Sequence, residues 1–256
     1  MRQFIAFTKK EWRESVATYR IFILLAVFLI FGMMSPLIAK LTPEIMKTLG
    51  ETNPGIVIKV PEPTALDSWG QFFKNVGQMG ILVVIIVFSG IMANELTKGT
   101  LINLLTKGLS RKIVILSKFL TASVLWLFAY LVCLGVCFGY TAYYWDLGEI
   151  PHAFLVFVSP WLFGEWMIAL VIFGGTLFGN IYGSLLSCFT VIVVLSMIGI
   201  LPKASKYNPL SLSGGTLSIL SGTGKPEDFI PALIICLVLI FLTLLLSIVV
   251  FDKKRI

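Results

Sequence analysis

The chain has 256 residues, of which 57% are hydrophobic and only 13% charged, with a mean hydropathy of +0.96. A soluble domain of this length carries roughly 25% charged residues, because its surface must face water; a water-soluble globule is therefore excluded. The formal charge of +7 does not point to nucleic acid either, because Lys and Arg gather beside the apolar runs, where they anchor a chain at a membrane interface.

Residues 21–39, 75–94, 119–145, 166–202 and 229–251 contain no Asp, Glu, Lys or Arg. Apolar runs of about 18 residues or more can cross a hydrocarbon core roughly 30 Å thick as helix. Membrane strands would instead read as alternating segments of about ten residues, and none is evident. The expectation is an all-α membrane protein in which residues 1–256 form a single transmembrane domain with six spans.

In chain order, residues 1–20 form an interfacial amphipathic helix, with Ile5, Trp12, Val16 and Tyr19 along one side and Lys and Arg elsewhere. The basic stretch followed by an apolar one resembles a secretory leader. The run from Ile21 to Ala39 is longer than an ordinary signal core, however, and no small-x-small pattern precedes Lys40, so it is expected to stay as the first span. Pro36 falls in the last turn of that span, where a break costs least. Residues 40–74 are predicted as an external loop with Pro43, Pro54, Pro61 and Pro63, although 65–78 has an amphipathic pattern through Leu66, Trp69, Phe72, Phe73 and Val76.

Span 2 is predicted at about 77–93 and span 3 at about 119–143, with the charged stretch 95–118 between them. Residues 150–202 hold one charge, Glu165, and have length for two spans. Gly174, Gly175, Gly179, Asn180 and Gly183 mark the turn between them, which gives spans at about 154–177 and 181–201. Residues 202–228 read as a second external loop, and span 6 covers about 229–251.

Basic residues orient the bundle. The N-terminal segment has five (Arg2, Lys9, Lys10, Arg13, Arg20), the loop between spans 2 and 3 has five (Lys98, Lys107, Arg111, Lys112, Lys118), and the tail has three (Lys253, Lys254, Arg255). These make 13 of the 20, and the remaining seven lie on the other side, offset by eight acids. The positive-inside rule then makes both termini cytoplasmic.

The stretch E-L-T-K-G-T-L-I-N-L-L-T-K-G-L-S-R-K is the most informative part of the chain. Residues 95–109 are predicted as a short coupling helix on the cytoplasmic surface, with Leu101, Leu104 and Leu105 on one side, ended by Gly108 and followed by a turn at Ser110–Arg111. A soluble partner gripping such a helix would move spans 2 and 3 together.

This segment resembles the ABC-2 type permease family, the membrane subunits of a class of ABC exporters of type V-like build. The matching positions are Glu95, Gly99, Thr100, Leu101, the pair Leu104 and Leu105, and Ser110 with Arg111. Gly108 stands where the family often has proline. The basic opening helix, six spans and polar stretch between spans 5 and 6 follow the same layout. The resemblance implies a division of labour. This chain has no G-x-x-x-x-G-K-[ST] loop, and Gly222-Thr-Gly224-Lys225 lacks the upstream glycine. No cofactor is expected in this chain, then; ATP and Mg would be held by a separate cytoplasmic ATPase whose groove receives residues 95–109 and part of 4–20. Two permease copies and two ATPases in the plasma membrane of a bacterium would complete the assembly. Small permeases of this build are similar to exporters of amphipathic peptides such as toxins or bacteriocins, while others export drugs or sodium; a peptide is preferred, because a wide apolar cavity suits an amphipathic helix.

Several residues carry two readings. Glu165 is the only ionisable group well inside a span. It is either a contact for a cationic or polar part of the substrate in the transport pathway, or it lies near the outer interface if span 4 starts after Pro160. Gly135 and Gly139, and Gly175, Gly179 and Gly183, permit close helix approach, and a tight turn explains the second set equally well. Trp126, Tyr140, Tyr143, Tyr144, Trp145, Trp161 and Trp166 read mostly as interfacial anchors, and His152 as an interface residue. Cys133, Cys137, Cys188 and Cys236 all lie in apolar runs and read as packing residues, with neither disulfide nor metal spacing. Against the permease stands an ion-driven carrier or channel, which would place several charges or broken helices inside the membrane. An intramembrane enzyme would need a nucleophile–base pair or clustered metal ligands, which one histidine and one buried glutamate do not provide.

Overall fold

A computed structural model describes residues 2–51, 62–148, 150–201 and 204–254. Over these residues the chain is helical and contains no strand, and six helices are long and apolar enough to cross a membrane. The elements are α1 (Arg2–Ala17), α2 (Arg20–Glu51), α3 (Ala65–Lys74), α4 (Ile81–Phe88), α5 (Gly90–Thr97), α6 (Thr100–Thr106), α7 (Arg111–Tyr144), α8 (Ala153–Phe178), α9 (Ile181–Gly199), α10 (Leu217–Leu220) and α11 (Ile230–Lys253). The protein is an all-α membrane protein.

The helices extend past the apolar runs that announce them, because helix propensity continues into the water-facing turns where hydropathy has already fallen. The loop expected over 40–74 is helical at both flanks. α2 runs through Pro36 and Pro43 to Glu51, so Pro36 lies within the helix and not in its last turn. Residues 52–61, with Pro54 and Pro61, lie outside the described residues. At Thr64 the backbone N–H and the hydroxyl both donate to Asp67 at 2.8 Å, which starts α3 as a capping box does. α3 then feeds through a π-helical stretch, Asn75–Gly80, into α4 and α5, so that Ala65–Thr97 is one continuous spanning element. The amphipathic face of α3 turns inward: Trp69, Phe72 and Phe73 are buried and meet Tyr130 of α7 and Phe157 of α8 in edge and stacked contacts.

α8 is the most enclosed of the six spans and α9 the least. Pro160 sits inside α8 and has no N–H, so the carbonyl four residues earlier loses its usual partner. That carbonyl, Val156, accepts instead from the buried Thr216 hydroxyl at 3.4 Å. Tyr130 and Trp126 of α7 add donors to the neighbouring carbonyls of Phe157 and Trp161, at 2.6 and 3.0 Å. Trp126 and Trp166 are therefore core residues, with Trp166 reaching Thr243 of α11 at 3.3 Å; of the expected aromatic belt Tyr143 is exposed, and Tyr140, Tyr144, Trp145 and Trp161 are half-buried.

Close helix approach occurs at Gly175, where an added side chain would meet Ser184 at 2.8 Å and Met92 at 3.2 Å, but not at the other expected pair. Nothing lies within 4 Å of a side chain added at Gly135 or Gly139, whereas one added at Gly32 would meet the Cys133 carbonyl at 2.7 Å, and one at Gly164 the Trp126 indole at 2.5 Å. The turn between α8 and α9 is at Gly179, with φ +73°, and Asn180, whose side chain accepts from the Gly183 N–H at 2.7 Å. The segment expected as an external loop, 202–228, is folded over its described residues. Three short 3₁₀ turns and α10 bury Asn208, Leu212, Thr216 and Ile219 against the spans. Asn208 holds it by donating to the Leu195 carbonyl at 2.8 Å and accepting from the Leu210 N–H at 3.0 Å.

Candidate functional site

The end of the bundle that carries α1, α6 and the tail is held by charge. α1 ends at Ala17, and Tyr19 lies beyond it in a left-handed turn, with φ 58°. Ile5, Trp12, Val16 and Tyr19 are exposed. The inward face is Phe7, Glu11 and Ser15, spaced four apart as one helical stripe requires. Glu11 is 1% exposed, and its carboxylate takes both oxygens to Lys118 of α7, at 2.9 and 3.0 Å. Lys118 is 0% exposed and also pairs with Glu95 at the end of α5, at 2.7 Å. Lys10 completes the cluster through Glu95, through Glu11 at 3.0 Å and through Glu14 at 2.7 Å. The Phe7 ring lies 5.2 Å from the Lys10 ammonium and 5.7 Å from that of Lys118.

Three carboxylates here stand close enough to hold a cation, Glu11, Glu14 and Glu95. Two ammonium groups already lie among them at ion-pair distance, so the cluster ties protein segments together. Burial pushes the Glu14 carboxyl up, but the hydrogen bond and charge of Lys10, with the charges of Lys118 and Arg20, outweigh it and leave Glu14 below its ordinary 4.5.

The segment expected as one helix over 95–109 is divided. Glu95 belongs to α5, not to the start of the short helix; Gly99 breaks the chain with φ 66°, and α6 begins at Thr100. Gly108 ends α6 at φ 88°, where the N–H groups of Gly108 and Leu109 return to the carbonyls of Leu105 and Leu104, the pairing of a Schellman motif. Leu101 is 0% exposed and turned into the chain's own core, with Leu104 and Leu105 packed partly against it. Leu101 thus seats α6 on the spans, while Leu104 and Leu105 are half-buried and keep part of their surface outward. The outer side of α6 is Ile102, Asn103, Thr106 and Lys107, with Ile102 41% exposed. A groove of about 270 Å³ opens between α1 and α6, lined by Phe7, Lys10, Leu104 and Lys107 among others.

Ser110 and Arg111 start α7. The Arg111 guanidinium donates to the carbonyl of Phe251, to that of Asp252 at 3.1 Å and to that of Lys254 at 2.8 Å, closing the C-terminus of α11 where a cation is favoured. Lys254 in turn donates to the Thr176 carbonyl at 2.7 Å and to that of Leu177 at 3.3 Å, at the end of α8. The Thr97 hydroxyl reaches the Gly179 carbonyl at 3.1 Å. Every described span except α2 and α9 is thus stitched at this one end by a side chain from another element.

Sequence reasoning singled out Glu95 and Arg111 but missed Lys10, Glu11 and Glu14, and took Lys118 only as the start of a span. The available signal was an acid in line with Phe7 on the inner stripe of α1, and a lysine at the edge of a charge-free run.

A profile of the family described as ABC-2 family transporter protein matches residues 5–256. The chain belongs to the ABC-2 transporter family. Membership makes it a multi-pass transmembrane subunit of an ABC transporter, of the kind that generally works with a cytoplasmic ATPase and is typically non-catalytic itself. The chain is also similar to a protein of Bacillus subtilis (strain 168) named "Uncharacterized transmembrane protein YxlG", with 23% identity over 235 residues, which cover 90% of this chain and 89% of that one. Within this ABC-2 subunit Glu165 lies midway along α8, since the helix runs unbroken through Pro160. It is 4% exposed and accepts from the Ser123 hydroxyl of α7.

Proposed function

We propose that the chain is the permease subunit of an ATP-driven exporter, that its basic end faces the cytoplasm, and that α1 and α6 together receive a separate ATPase. The observation that carries this reading is the buried cluster of Glu11, Glu95 and Lys118. It joins a surface helix to the ends of two spans, so that a push on α1 or α6 is delivered to α5 and α7 with little slack. Ile102 and Lys107 on the outer side of α6 and the groove beside α1 are the contact surface offered to the ATPase. ATP-driven approach of two ATPase copies then moves two permease copies, and the substrate route opens outward. An amphipathic peptide is the preferred cargo, ahead of a drug or sodium, because the spans carry so few polar groups.

The test is Ile102→Asp. It removes apolar contact worth about 1.5–3 kcal/mol if fully buried at the interface and adds a charge that must be desolvated, while leaving Leu101 in place. The variant is expected to insert and fold as the parent does, to lose co-purification with its ATPase, and to abolish substrate-stimulated ATP turnover in vesicles. Normal association and turnover would refute α6 as the contact. The chain purified free of any ATPase is expected to hydrolyse no ATP.

A further inference from the structure

Midway through the spans a groove of about 320 Å³ opens between α7, α8 and α11. Its walls are mostly apolar, with Phe119, Val124, Leu237 and Phe241 among them; Glu165, Ser123 and Trp161, whose buried indole N–H has no hydrogen-bond partner, bring the polar groups that line it. Leu120, Val124, Leu127, Leu237 and Phe241 at its rim are all exposed, and each lies within a span, so the mouth faces the bilayer interior and not water.

Glu165 is built into this groove and is not a stray surface carboxylate. One of its oxygens accepts from Ser123, while the other, Oε1, is buried without a hydrogen-bond partner. A carboxylate left half-satisfied in hydrocarbon surroundings costs several kcal/mol unless it takes up a proton or a donor or counter-charge completes it, and a cation at Oε1 does so while keeping the charge. Among the described residues the ion pairs of the protein lie elsewhere, at the α1 cluster and between Lys206 and Asp228, so no side-chain cation performs this task.

We infer that the groove binds a lipophilic amine drawn from the bilayer, with its ammonium on Glu165 and its hydrocarbon body along α7 and α11. Charge complementarity fixes the head, since a carboxylate with a vacant acceptor selects a cationic donor over a neutral or anionic one. The apolar walls fix the tail. A neutral lipid chain would fill the walls and leave Oε1 as it is. The site is a property of the chain alone and stands apart from the coupling to an ATPase.

The experiment uses the full chain in nanodiscs of zwitterionic phosphatidylcholine, without any ATPase. Terminally brominated dodecylamine, dodecanol and dodecanoic acid are titrated as quenchers of tryptophan fluorescence, the signal being assigned to Trp161 by its loss in Trp161→Phe. The amine is expected to quench at a concentration about tenfold or more below that of the alcohol, as loss of one partner of a buried charge pair implies, and the acid least well. Glu165→Gln, nearly isosteric, is expected to equalise amine and alcohol. Leu237→Phe, which keeps Glu165, narrows the groove and adds no tryptophan, is expected to weaken quenching by both. Equal quenching by amine and alcohol in the parent chain, or an amine preference that survives Glu165→Gln, would overturn the inference and assign the groove to a lipid tail. Absence of quenching by any of the three would overturn it as well and leave the face to a second copy of the chain.

Discussion

Lys10 and Lys118 contact the same glutamates, yet they should differ sharply on mutation. Lys118 is enclosed on all sides while Lys10 is 39% exposed in its side chain. Breaking a buried pair leaves uncompensated charge and costs about 3–5 kcal/mol, whereas the loss of a partly exposed cation costs less, because water and Lys118 still reach its partners. Lys118→Met is therefore expected to lower the thermal midpoint of the purified protein strongly and Lys10→Met only slightly; equal effects would mean that α1 is held by its apolar contacts alone. Glu14 brings a pH dependence to the same contact. Its carboxyl is lowered in the folded state by Lys10, Lys118 and Arg20 acting against burial, so the stabilisation it contributes is full above its unfolded value and is lost as pH falls through the folded one. The midpoint should decline in acid below the ordinary 4.5, and Glu14→Gln should flatten that part of an acid titration.

At the scale of elements, the spans and the α8–α9 turn were legible, because continuous apolar runs and the Gly-Asn pair leave few alternatives. Direction of facing was not. The leucine stripe of α6 looks the same whether it meets a partner or the chain's own core, and only the packing of Leu101 against the spans decides. Gly135 and Gly139 have the spacing of a helix contact, but which glycine meets a neighbour depends on the rotation of α7, which periodicity alone does not report. Arg111 was visible as part of a motif, though not as a cap on α11, since its partners are 140 residues or more away in sequence. Its planar guanidinium holds its donors in a fixed direction toward these carbonyls, whereas an ammonium on a flexible stem must be ordered to reach them. Arg111→Lys is expected to restore only part of what Arg111→Ala loses, read as faster hydrogen exchange over the last turn of α11. Unchanged exchange in Arg111→Ala would show that the turn is held without it.

For the whole molecule the decisive question is which end faces the cytoplasm. The four cysteines are all buried, so the parent chain should give little background to a membrane-impermeant thiol reagent. Cysteines placed at Lys107 and Lys253 are expected to react only from inside, and one at Thr223 only from outside; labelling of Thr223→Cys from within would invert or renumber the spans. The same map bears on force. The basic end is stitched by Lys118, Arg111, Lys254 and Thr97, whereas the ion pair of the opposite end, Lys206 with Asp228, is exposed and screened by solvent. The opposite end is held by uncharged contacts instead, among them the buried hydroxyl pair of Ser68 and Thr141 at 2.7 Å and the bond from Asn208 to the Leu195 carbonyl at 2.8 Å.

The bond between Thr216 and Val156 belongs to that second set. Lifting the folded segment after α9 away from α8 would strip the carbonyl that Pro160 has already deprived of its helical partner, and a buried carbonyl without a donor costs about 1–3 kcal/mol. Pro160 thus makes the folded segment and α8 depend on each other: the oxygen that the proline orphans keeps its donor only while the segment is seated.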